Sequence, residues 1–309
     1  MPCFHPLSAY KTSLGEVVFN HNHRNIKEAL KLPCGQCVGC RLERSRQWAM
    51  RCVHESKMFA NNCFITLTYN NENLPPFGSL HLPDFQKFMK RLRFRFDGIE
   101  EVLIDDEICR PIRFYHCGEY GESLGRPHYH ACLFNFDFLD KYFWRISDAG
   151  SMCYRSPILE ELWGMGNCEV GEVTFESAAY VARYIMKKIN GDMASDHYVR
   201  YDSTTGEISS LAPEYTTMSR RPGIGSLFFD KYKGEMYPLD RVIIRGQKMR
   251  PPRYYDAKIK DIDPAMFENL KFDRYETALL RADDNTDDRL KIREKVQNIS
   301  LQLLKRHLS

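Results

Sequence analysis

The sequence has little net charge and no long apolar run, and each absence excludes a class of protein. Its 309 residues carry 44 lysines and arginines against 41 aspartates and glutamates, a formal net charge of only +3. The total charge therefore does not indicate a nucleic-acid binder, and any basic surface must be local. No segment approaches the roughly 20 apolar residues of a membrane span, and the N-terminus lacks the apolar stretch of a signal peptide. We expect a soluble intracellular protein with no membrane partner.

Internal repeats, low-complexity tracts and a G-x-x-x-x-G-K-[ST] motif are also missing, and the missing motif argues against a fused helicase. Hydrophobic residues, by contrast, make up 43% of the chain, which is enough for a sizeable core. Eleven cysteines are present. In an intracellular chain they indicate buried thiols or metal ligands and not a disulfide framework.

Hydrophobic patterning predicts a chain of mixed α and β structure. β-Branched and aromatic residues predict strands at residues 63–69, 113–120, 128–136 and 168–174. Helix-forming patterns predict helices at residues 42–59, 82–96, 177–189 and from Pro264 onward. Ser177 is the expected N-cap of the third helix. The stretch from Asn190 to about Pro222 is polar and is predicted to be rich in loops.

The segment PHYHACLF places His128 and His130 two residues apart in a predicted strand. Side chains at this spacing point to the same face, so the two imidazoles can share one metal ion. The turn at residues 121–127 can bring Glu119 beside them, with Glu122 as the weaker candidate. Two histidines and a glutamate leave coordination positions for a phosphate oxygen and suit Mg or Mn. The alternative is one histidine in the core and one at the surface.

The segment YVARYIMKK places Tyr180 and Tyr184 four residues apart on a predicted helix. Such residues share a helix face, so both phenols can reach one site, with Lys187 and Lys188 beside the second. A phenol has a pKa near 10, so a nucleophilic tyrosine needs a nearby cation or a metal-activated phosphate. The alternative is that both rings pack in the core.

These motifs together resemble the HUH class of replication initiators, in which two histidines flank a bulky residue and a helix supplies the tyrosine. The segment FYHCGEYGE precedes PHYHACLF, and CFITLTYNNENLP resembles the first motif of that class. The paired tyrosines resemble the microvirus type. The segments LPCGQCVGCRLERSRQWAMRC and MSRRPGIG look like those of initiators from the gokushovirus group of small single-stranded-DNA phages.

The resemblance implies an α+β fold with a five-stranded antiparallel sheet and packed helices. His128, His130 and Glu119 would hold a divalent metal at the scissile phosphate. Tyr180 or Tyr184 would attack it, leaving a 5′-phosphotyrosine and a free 3′-OH, and the other tyrosine would act after one round. The implied partners are single-stranded viral DNA with its replication origin and the host helicase and DNA polymerase, in the cytoplasm of a bacterial host.

The resemblance also suggests a division of the chain. We expect a cysteine-containing N-terminal segment at residues 1–60, a nicking and joining domain at 61–260 and a charged helical extension at 261–309. In the first segment, Cys34, Cys37 and Cys40 form C-x-x-C-x-x-C, and Cys3 or His5 would complete four ligands for a structural zinc. The alternative is three reduced thiols in a glycine-containing loop.

Basic residues on the helix at residues 82–96 alternate with phenylalanines, which we expect to face the core. The basic side chains are interpreted either as a solvated face or as contacts to DNA phosphates, and they are Lys87, Lys90, Arg91, Arg93 and Arg95. Two other functions compete with a replication nickase. One is a relaxase or transposase of the same class, and the other is a zinc-stabilised nucleic-acid-binding protein without catalysis.

Overall fold

A computed structural model describes residues 3–121, 124–147, 150–187, 196–201 and 206–302, with residues 184–187 in backbone only. The helices within these ranges are α1 (Val38–Ser56), α2 (Leu82–Arg95), α3 (Pro157–Trp163), α4 (Phe175–Lys187), α5 (Ser226–Met236), α6 (Arg253–Ile262), α7 (Pro264–Leu279) and α8 (Asp287–Gln302). Short 3-10 helices lie at Pro76–Gly78 and Ala282–Asn285.

The strands are β1 (Leu7–Thr12), β2 (Val17–Val18), β3 (Ile26–Leu32), β4 (Asn62–Thr68), β5 (Val102–Ile104), β6 (Glu107–Cys109), β7 (Arg113–Tyr120), β8 (Pro127–Phe134), β9 (Tyr142–Ile146), β10 (Met152–Arg155), β11 (Cys168–Gly171), β12 (Val199–Tyr201), β13 (Ile208–Ser210), β14 (Tyr215–Met218), β15 (Val242–Ile244) and β16 (Gln247–Met249). The chain is thus of mixed α and β structure, as predicted.

The chain divides into two compact units, and the division falls within α1. One unit contains residues 3–44 and 263–302 of the described chain, and the other contains residues 45–262. The first unit holds a small antiparallel sheet in the order β2-β1-β3, together with α7 and α8. The N-terminal and C-terminal segments, which we expected as separate parts, therefore fall in one unit.

The second unit is built on a central antiparallel sheet in the order β14-β7-β8-β4-β11-β10-β9 and also contains the strand pairs β5-β6, β12-β13 and β15-β16. Within the described ranges this sheet has seven strands, two more than the five that the resemblance implies. The additional strands are short, and some of them form only by pairing with a partner far away in the sequence. An example is β14, which pairs with β7 from within the region predicted to be rich in loops.

Alternating side chains give the sheet two buried faces, each covered by helices. On β8, Tyr129, Ala131 and Leu133 lie in a core with residues of α2 and α3. Cys132 and Phe134 point the other way, into a core with residues of α1 and α4. His128 and His130 continue this second face toward the other end of the strand. The face below α4 is therefore apolar at one end and carries the imidazoles at the other.

Three local predictions need correction. The first helix was expected at residues 42–59 and instead runs from Val38 to Ser56. Phe94 was expected to face the core, yet its side chain is 95% exposed. In the sequence, Val296, Ile299, Leu303 and Leu304 form an apolar stripe that predicts packing of the last helix within the chain, yet Val296 and Ile299 are exposed, and Leu303 and Leu304 lie beyond the described residues. Among the helices described, none is both long and apolar enough to cross a membrane.

Candidate active site

The β7–β8 hairpin brings Glu119, His128 and His130 together. Glu119 lies directly opposite His128 in the antiparallel register, and His130 is opposite Cys117, one alternation further along the same face. Directly opposite and diagonal neighbours on one face of a sheet are close enough for side-chain contact. One ligand atom from each of the three side chains can be chosen so that all lie within 4.8 Å of one another.

The two imidazoles converge on one carboxylate oxygen. His128 Nε2 lies 2.8 Å and His130 Nε2 lies 3.1 Å from Glu119 Oε1. Burial alone would raise the pKa of Glu119, but the hydrogen bonds and positive charge of the two histidines lower it to about 2. The carboxylate is therefore ionised across the whole physiological pH range.

The other nitrogen of each ring fixes its orientation. His128 Nδ1–H donates to the carbonyl of Arg126 at 3.1 Å, and His130 Nδ1 lies 2.9 Å from the hydroxyl of Thr66. An ionised carboxylate only accepts hydrogen bonds, so Nε2–H of each ring donates to Glu119 in this structure. A bound cation would take the place of that proton on Nε2, while the Nδ1 contact keeps the ring in position. This is the arrangement in which a second group orients a metal-binding histidine. Two imidazoles and a carboxylate with converging donor atoms fit a divalent cation.

Helix α4 packs over the same sheet face and carries the first tyrosine. Small side chains allow the close approach, because Ala178 and Ala182 are buried against the sheet with Val181.

The helix begins earlier than predicted. Thr174 and Ser177 exchange hydrogen bonds, from Thr174 N–H to Ser177 Oγ at 2.8 Å and from Ser177 N–H to Thr174 Oγ1 at 3.1 Å. Thr174 therefore occupies the N-cap position that we expected of Ser177.

Tyr180 reaches the ligand cluster from this helix. Its hydroxyl donates to Glu119 Oε1 at 3.4 Å, and its ring meets that of His130 edge-on with centroids 5.0 Å apart. Tyr184 lies one helical turn further on, but its side chain and that of Lys187 are outside the description, as are Lys188 and Glu122 entirely. The structure thus brings together Glu119, His128, His130 and Tyr180.

A third histidine of the same motif faces the opposite side of the sheet. The ring of His116 stacks on Phe85 at 3.4 Å, and its Nδ1 lies 3.0 Å from Thr217 Oγ1. Burial holds the pKa of His116 well below its usual range, so the ring is neutral. His116 is therefore a core residue and is no ligand in this cluster.

Sequence reasoning missed Phe64 and Thr66, which contact His130 from β4. The Phe64 ring is stacked on the His130 ring at 5.6 Å. Both residues alternate with the apolar side chains of β4, so their shared face was readable from the sequence. Their position beside His130 could not be predicted from the sequence, because it depends on the pairing of β4 with β8.

Most of the basic cluster on α2 binds the protein's own chain. Arg91 donates to the carbonyls of Leu162 and Trp163, and Arg93 donates to that of Ile112. Arg95 pairs with Glu161 at 2.7 Å. The interpretation of this cluster as phosphate contacts is therefore limited to Lys87 and Lys90, which are exposed.

A second cluster of potential ligands lies in the other compact unit. Sulfur atoms of four cysteines lie within 4.8 Å of one another, and these residues are Cys3, Cys34, Cys37 and Cys40. The sulfurs of Cys3 and Cys37 are 3.9 Å apart. A tetrahedral zinc with bonds of about 2.3 Å separates its sulfurs by roughly 3.8 Å, so this spacing fits. His5 instead bonds Glu294 at 2.8 Å, so Cys3 is the fourth member.

Backbone amides surround these sulfurs. Phe4 N–H donates to the sulfur of Cys37, and Cys34 N–H donates to that of Cys3, each at 3.3 Å. Burial raises the pKa of Cys37, but the amides of Phe4 and Cys40 lower it to about 6. Burial raises the pKa of Cys40, where the neighbouring thiolate adds to the effect. One thiolate thus forms readily, and a cation would be needed to hold all four.

Known proteins resemble this chain over most of its length. The family described as Replication-associated protein ORF2/G2P matches residues 62–189, which include the sheet strands and helix of the candidate site. Replication-associated protein VP4 of Bdellovibrio phage phiMH2K is 33% identical over 269 residues, covering 85% of this chain and 79% of that protein.

Two further relatives come from other phages. Replication-associated protein ORF2 of Spiroplasma virus 4 is 31% identical, over 84% of this chain and 81% of its own length. Replication-associated protein ORF4 of Chlamydia phage 1 is 29% identical, over 81% of this chain and 58% of its own length. No solved structure matches the chain significantly. At this identity and coverage, the chain belongs to the family of phage replication-associated proteins.

Proposed function

We propose that this protein initiates rolling-circle replication by nicking single-stranded DNA with a tyrosine and later rejoining the ends. The observation that carries the proposal is the hydroxyl of Tyr180 at 3.4 Å from Glu119, the carboxylate on which His128 and His130 converge. The replication-associated names of its relatives support a role in replication. The HUH-type mechanism is the one that this combination of side chains favours.

Glu119, His128 and His130 would hold a divalent Mg or Mn ion with positions open to the scissile phosphate. When bound, such an ion polarises the phosphoryl oxygens and stabilises their charge. The buried, ionised Glu119 supplies a fixed negative charge for the cation. Thr66 and Arg126 hold the imidazoles so that Nε2 faces it.

In the nicking step, the phenol oxygen forms a bond to phosphorus and the bond from phosphorus to O3′ breaks. The product is a 5′-phosphotyrosine with a free 3′-OH. The phenol proton passes to water, and water supplies the proton that the departing O3′ takes up. Glu119 orients the phenol and does not serve as its base, because a carboxylate with a pKa of about 2 cannot deprotonate a group near 10. The phosphodiester energy is retained in the new ester, so rejoining needs no ATP.

Tyr184 would provide the second nucleophile. It follows Tyr180 by one helical turn, and residues at that spacing share a helix face. After one round it would cut the regenerated origin, and the released 3′-OH would attack the first phosphotyrosine. Lys187 and Lys188 would stabilise phosphate or phenolate charge near it. The substrate would be viral single-stranded DNA at its origin, with host helicase and polymerase acting from the 3′-OH in the bacterial cytoplasm.

We also propose that Cys3, Cys34, Cys37 and Cys40 hold a structural zinc. The sulfur spacing and the amide donors around the thiols support this. Four protein ligands leave no open position, so the ion would stabilise the fold without taking part in the chemistry.

A covalent-adduct assay tests the nickase. Single-stranded circular DNA of the phage genome that encodes the protein is incubated with it and Mn or Mg, then run on a denaturing gel and mapped by mass spectrometry. We expect an adduct on Tyr180 or Tyr184 that disappears with chelator and with His128→Ala. Replacing both tyrosines by Phe removes the nucleophiles and should lower the yield of adduct by at least about a thousandfold.

Tyr275→Phe is the matched control, since this tyrosine is exposed on α7 of the other unit and should not change the yield. An adduct that persists in His128→Ala would overturn the metal assignment. If folded, metal-loaded protein forms no adduct on origin-bearing DNA, the non-catalytic binding protein becomes the better interpretation. Cleavage restricted to a conjugation or transposon end would favour a relaxase or transposase.

A further inference from the structure

A cavity of about 300 Å³ opens beside the candidate active site, in the same compact unit. Strands β4, β10 and β11 and the first turn of α4 supply its walls. The lining side chains that determine its chemistry are Phe64, Thr66, Cys153, Glu169, Glu172 and Ser177. Its volume is that of a small-molecule site and exceeds what a few waters require.

Two residues that line the cavity, Thr66 and Phe64, also contact the candidate active site. Thr66 hydrogen-bonds His130 Nδ1 at 2.9 Å, and the Phe64 ring stacks on the His130 ring. The pairing of the strands also connects the cavity to the candidate active site, because Thr66 pairs with His130 on one side and with Glu169 on the other. Strands lie about 4.8 Å apart, so Glu169 is roughly two such spacings from His130. A nucleotide with its phosphate at the histidines can reach the cavity with its base.

The lining suits a base and does not suit a phosphate. No lysine or arginine lines the cavity among the described residues, and the carboxylate of Glu172 repels an anion, while that of Glu169 is paired with Arg145. Phe64 offers an apolar surface to a ring, and Thr66 offers a hydroxyl, whereas the Ser177 hydroxyl is bonded to the backbone of the α4 cap. Carboxylates accept hydrogen bonds from the exocyclic amino groups of bases. Arg145 holds Glu169 in place with bonds of 3.0 and 3.1 Å.

We propose that this cavity receives the base of a nucleotide next to the scissile phosphate and favours bases with an exocyclic amino group over thymine. The proposal rests on the proposed nicking function and adds to it a source of sequence selectivity. Enzymes that act on a base hold it in a pocket by ring contacts and by hydrogen bonds to its edge, and the same contacts can hold a base beside a scissile phosphate.

The test begins with the nick mapped on the single-stranded circle. Oligonucleotides spanning it then carry each of the four bases, or an abasic unit, at every position flanking the cut, and the rate of adduct formation is measured. We expect one flanking position at which thymine or an abasic unit lowers the rate about tenfold, the range of one good base contact. Glu172→Gln should reduce that discrimination, and Gly171→Leu, which fills the cavity, should remove it.

Glu176→Gln is the matched control, because Glu176 lies in the first turn of α4, pairs with Arg245 and does not line the cavity. It should leave the discrimination unchanged. If the variants form adduct with the discrimination of the wild type, the cavity is not a base site and the nickase still stands. If Gly171→Leu fails to fold, Glu172→Gln alone decides. Absence of any adduct from the wild type on any DNA overturns both proposals.

Discussion

The imidazole of His130 is held at both nitrogens and on two sides of its ring. Thr66 lies 2.9 Å from Nδ1 and Glu119 lies 3.1 Å from Nε2. Phe64 stacks on the ring, and Tyr180 meets it edge-on. These neighbours fix the direction of Nε2, so a cation that binds there does not have to restrict the ring further.

We expect Thr66→Val to weaken divalent-metal binding by about ten- to a hundredfold, because the isosteric side chain cannot accept the Nδ1 hydrogen bond. Titration calorimetry with Mn²⁺ measures this directly, and Thr66→Ser should restore most of the affinity. Thr217→Val is the matched control, since Thr217 makes the same bond to His116, which faces the other side of the sheet. Equal losses in the two variants would contradict a positioning role for Thr66.

At the scale of helices and strands, the sequence predicts those elements that are determined by a local pattern of residues. Helix α2 was predicted within one residue because it carries a clear period of apolar side chains. Strand β7 was predicted with its bounds because it contains several aromatic residues and ends at the turn that begins at residue 121. Strands β9, β10 and β14 were not predicted. They are short, and each is defined by a partner far away in sequence or by an irregular register, as between β9 and β10.

The residues of the candidate site also fall into two groups, those that a local pattern brings together and those that only packing brings together. Glu119, His128 and His130 could be grouped from the sequence because one hairpin carries all three. The contact of Tyr180 with Glu119 required the packing of α4 on the sheet, which no local pattern specifies. The N-cap was misplaced for a related reason. Thr174 and Ser177 both have capping side chains, and only the helix start distinguishes them.

The packing of α1 against α5 and α6 gives the second unit a dependence on pH. His54 stacks on Phe228 at 3.9 Å and lies 3.0 Å from the hydroxyl of Tyr255. Burial lowers the pKa of His54 to about 3, from 6.5 in a free histidine. Below pH 6.5, His54 binds a proton in the unfolded chain but not in the folded chain, so the free energy of unfolding falls as the pH drops toward 3.

Between pH 6.5 and about 5, His54→Phe should therefore lose about 2 kcal/mol less stability than the wild type. Urea unfolding at both pH values measures the difference, which does not depend on how stable the variant is in absolute terms. The exposed His21 provides the control, and His21→Asn should follow the wild type. An unchanged pH dependence in His54→Phe would show that this ring is protonated in the folded protein.

At the scale of the whole molecule, the two potential metal sites lie in different compact units. The cysteine cluster joins the N-terminal residue Cys3 to the segment at residues 34–40, within the unit that also contains α7 and α8. The histidine cluster lies in the unit built on the seven-stranded sheet. The two proposed ions would therefore have separable effects, the zinc on stability and the divalent ion on chemistry.

We expect the purified protein to contain one zinc per chain and Cys37→Ser to lose it. Loss of zinc should increase hydrogen–deuterium exchange in residues 3–44 and 263–302, with little change in β7 and β8, because structural zinc contributes directly to folding. Metal analysis and exchange mass spectrometry measure both effects. Cys109→Ser is the control, as this thiol lies outside the cluster. Protein that contains no zinc and has the same exchange pattern after chelation would contradict the proposal.

The position of the ligands within one hairpin has a consequence for how such proteins diversify. Glu119 is only nine residues from His128 and eleven from His130, whereas the tyrosine helix follows after β9, β10, α3 and β11. Insertions or deletions between hairpin and helix leave the ligand set intact. That same intervening segment contributes walls to the cavity beside the site. On the proposed function, changes in this segment would alter which DNA sequence the protein recognises, while the hairpin that holds the proposed metal stays the same.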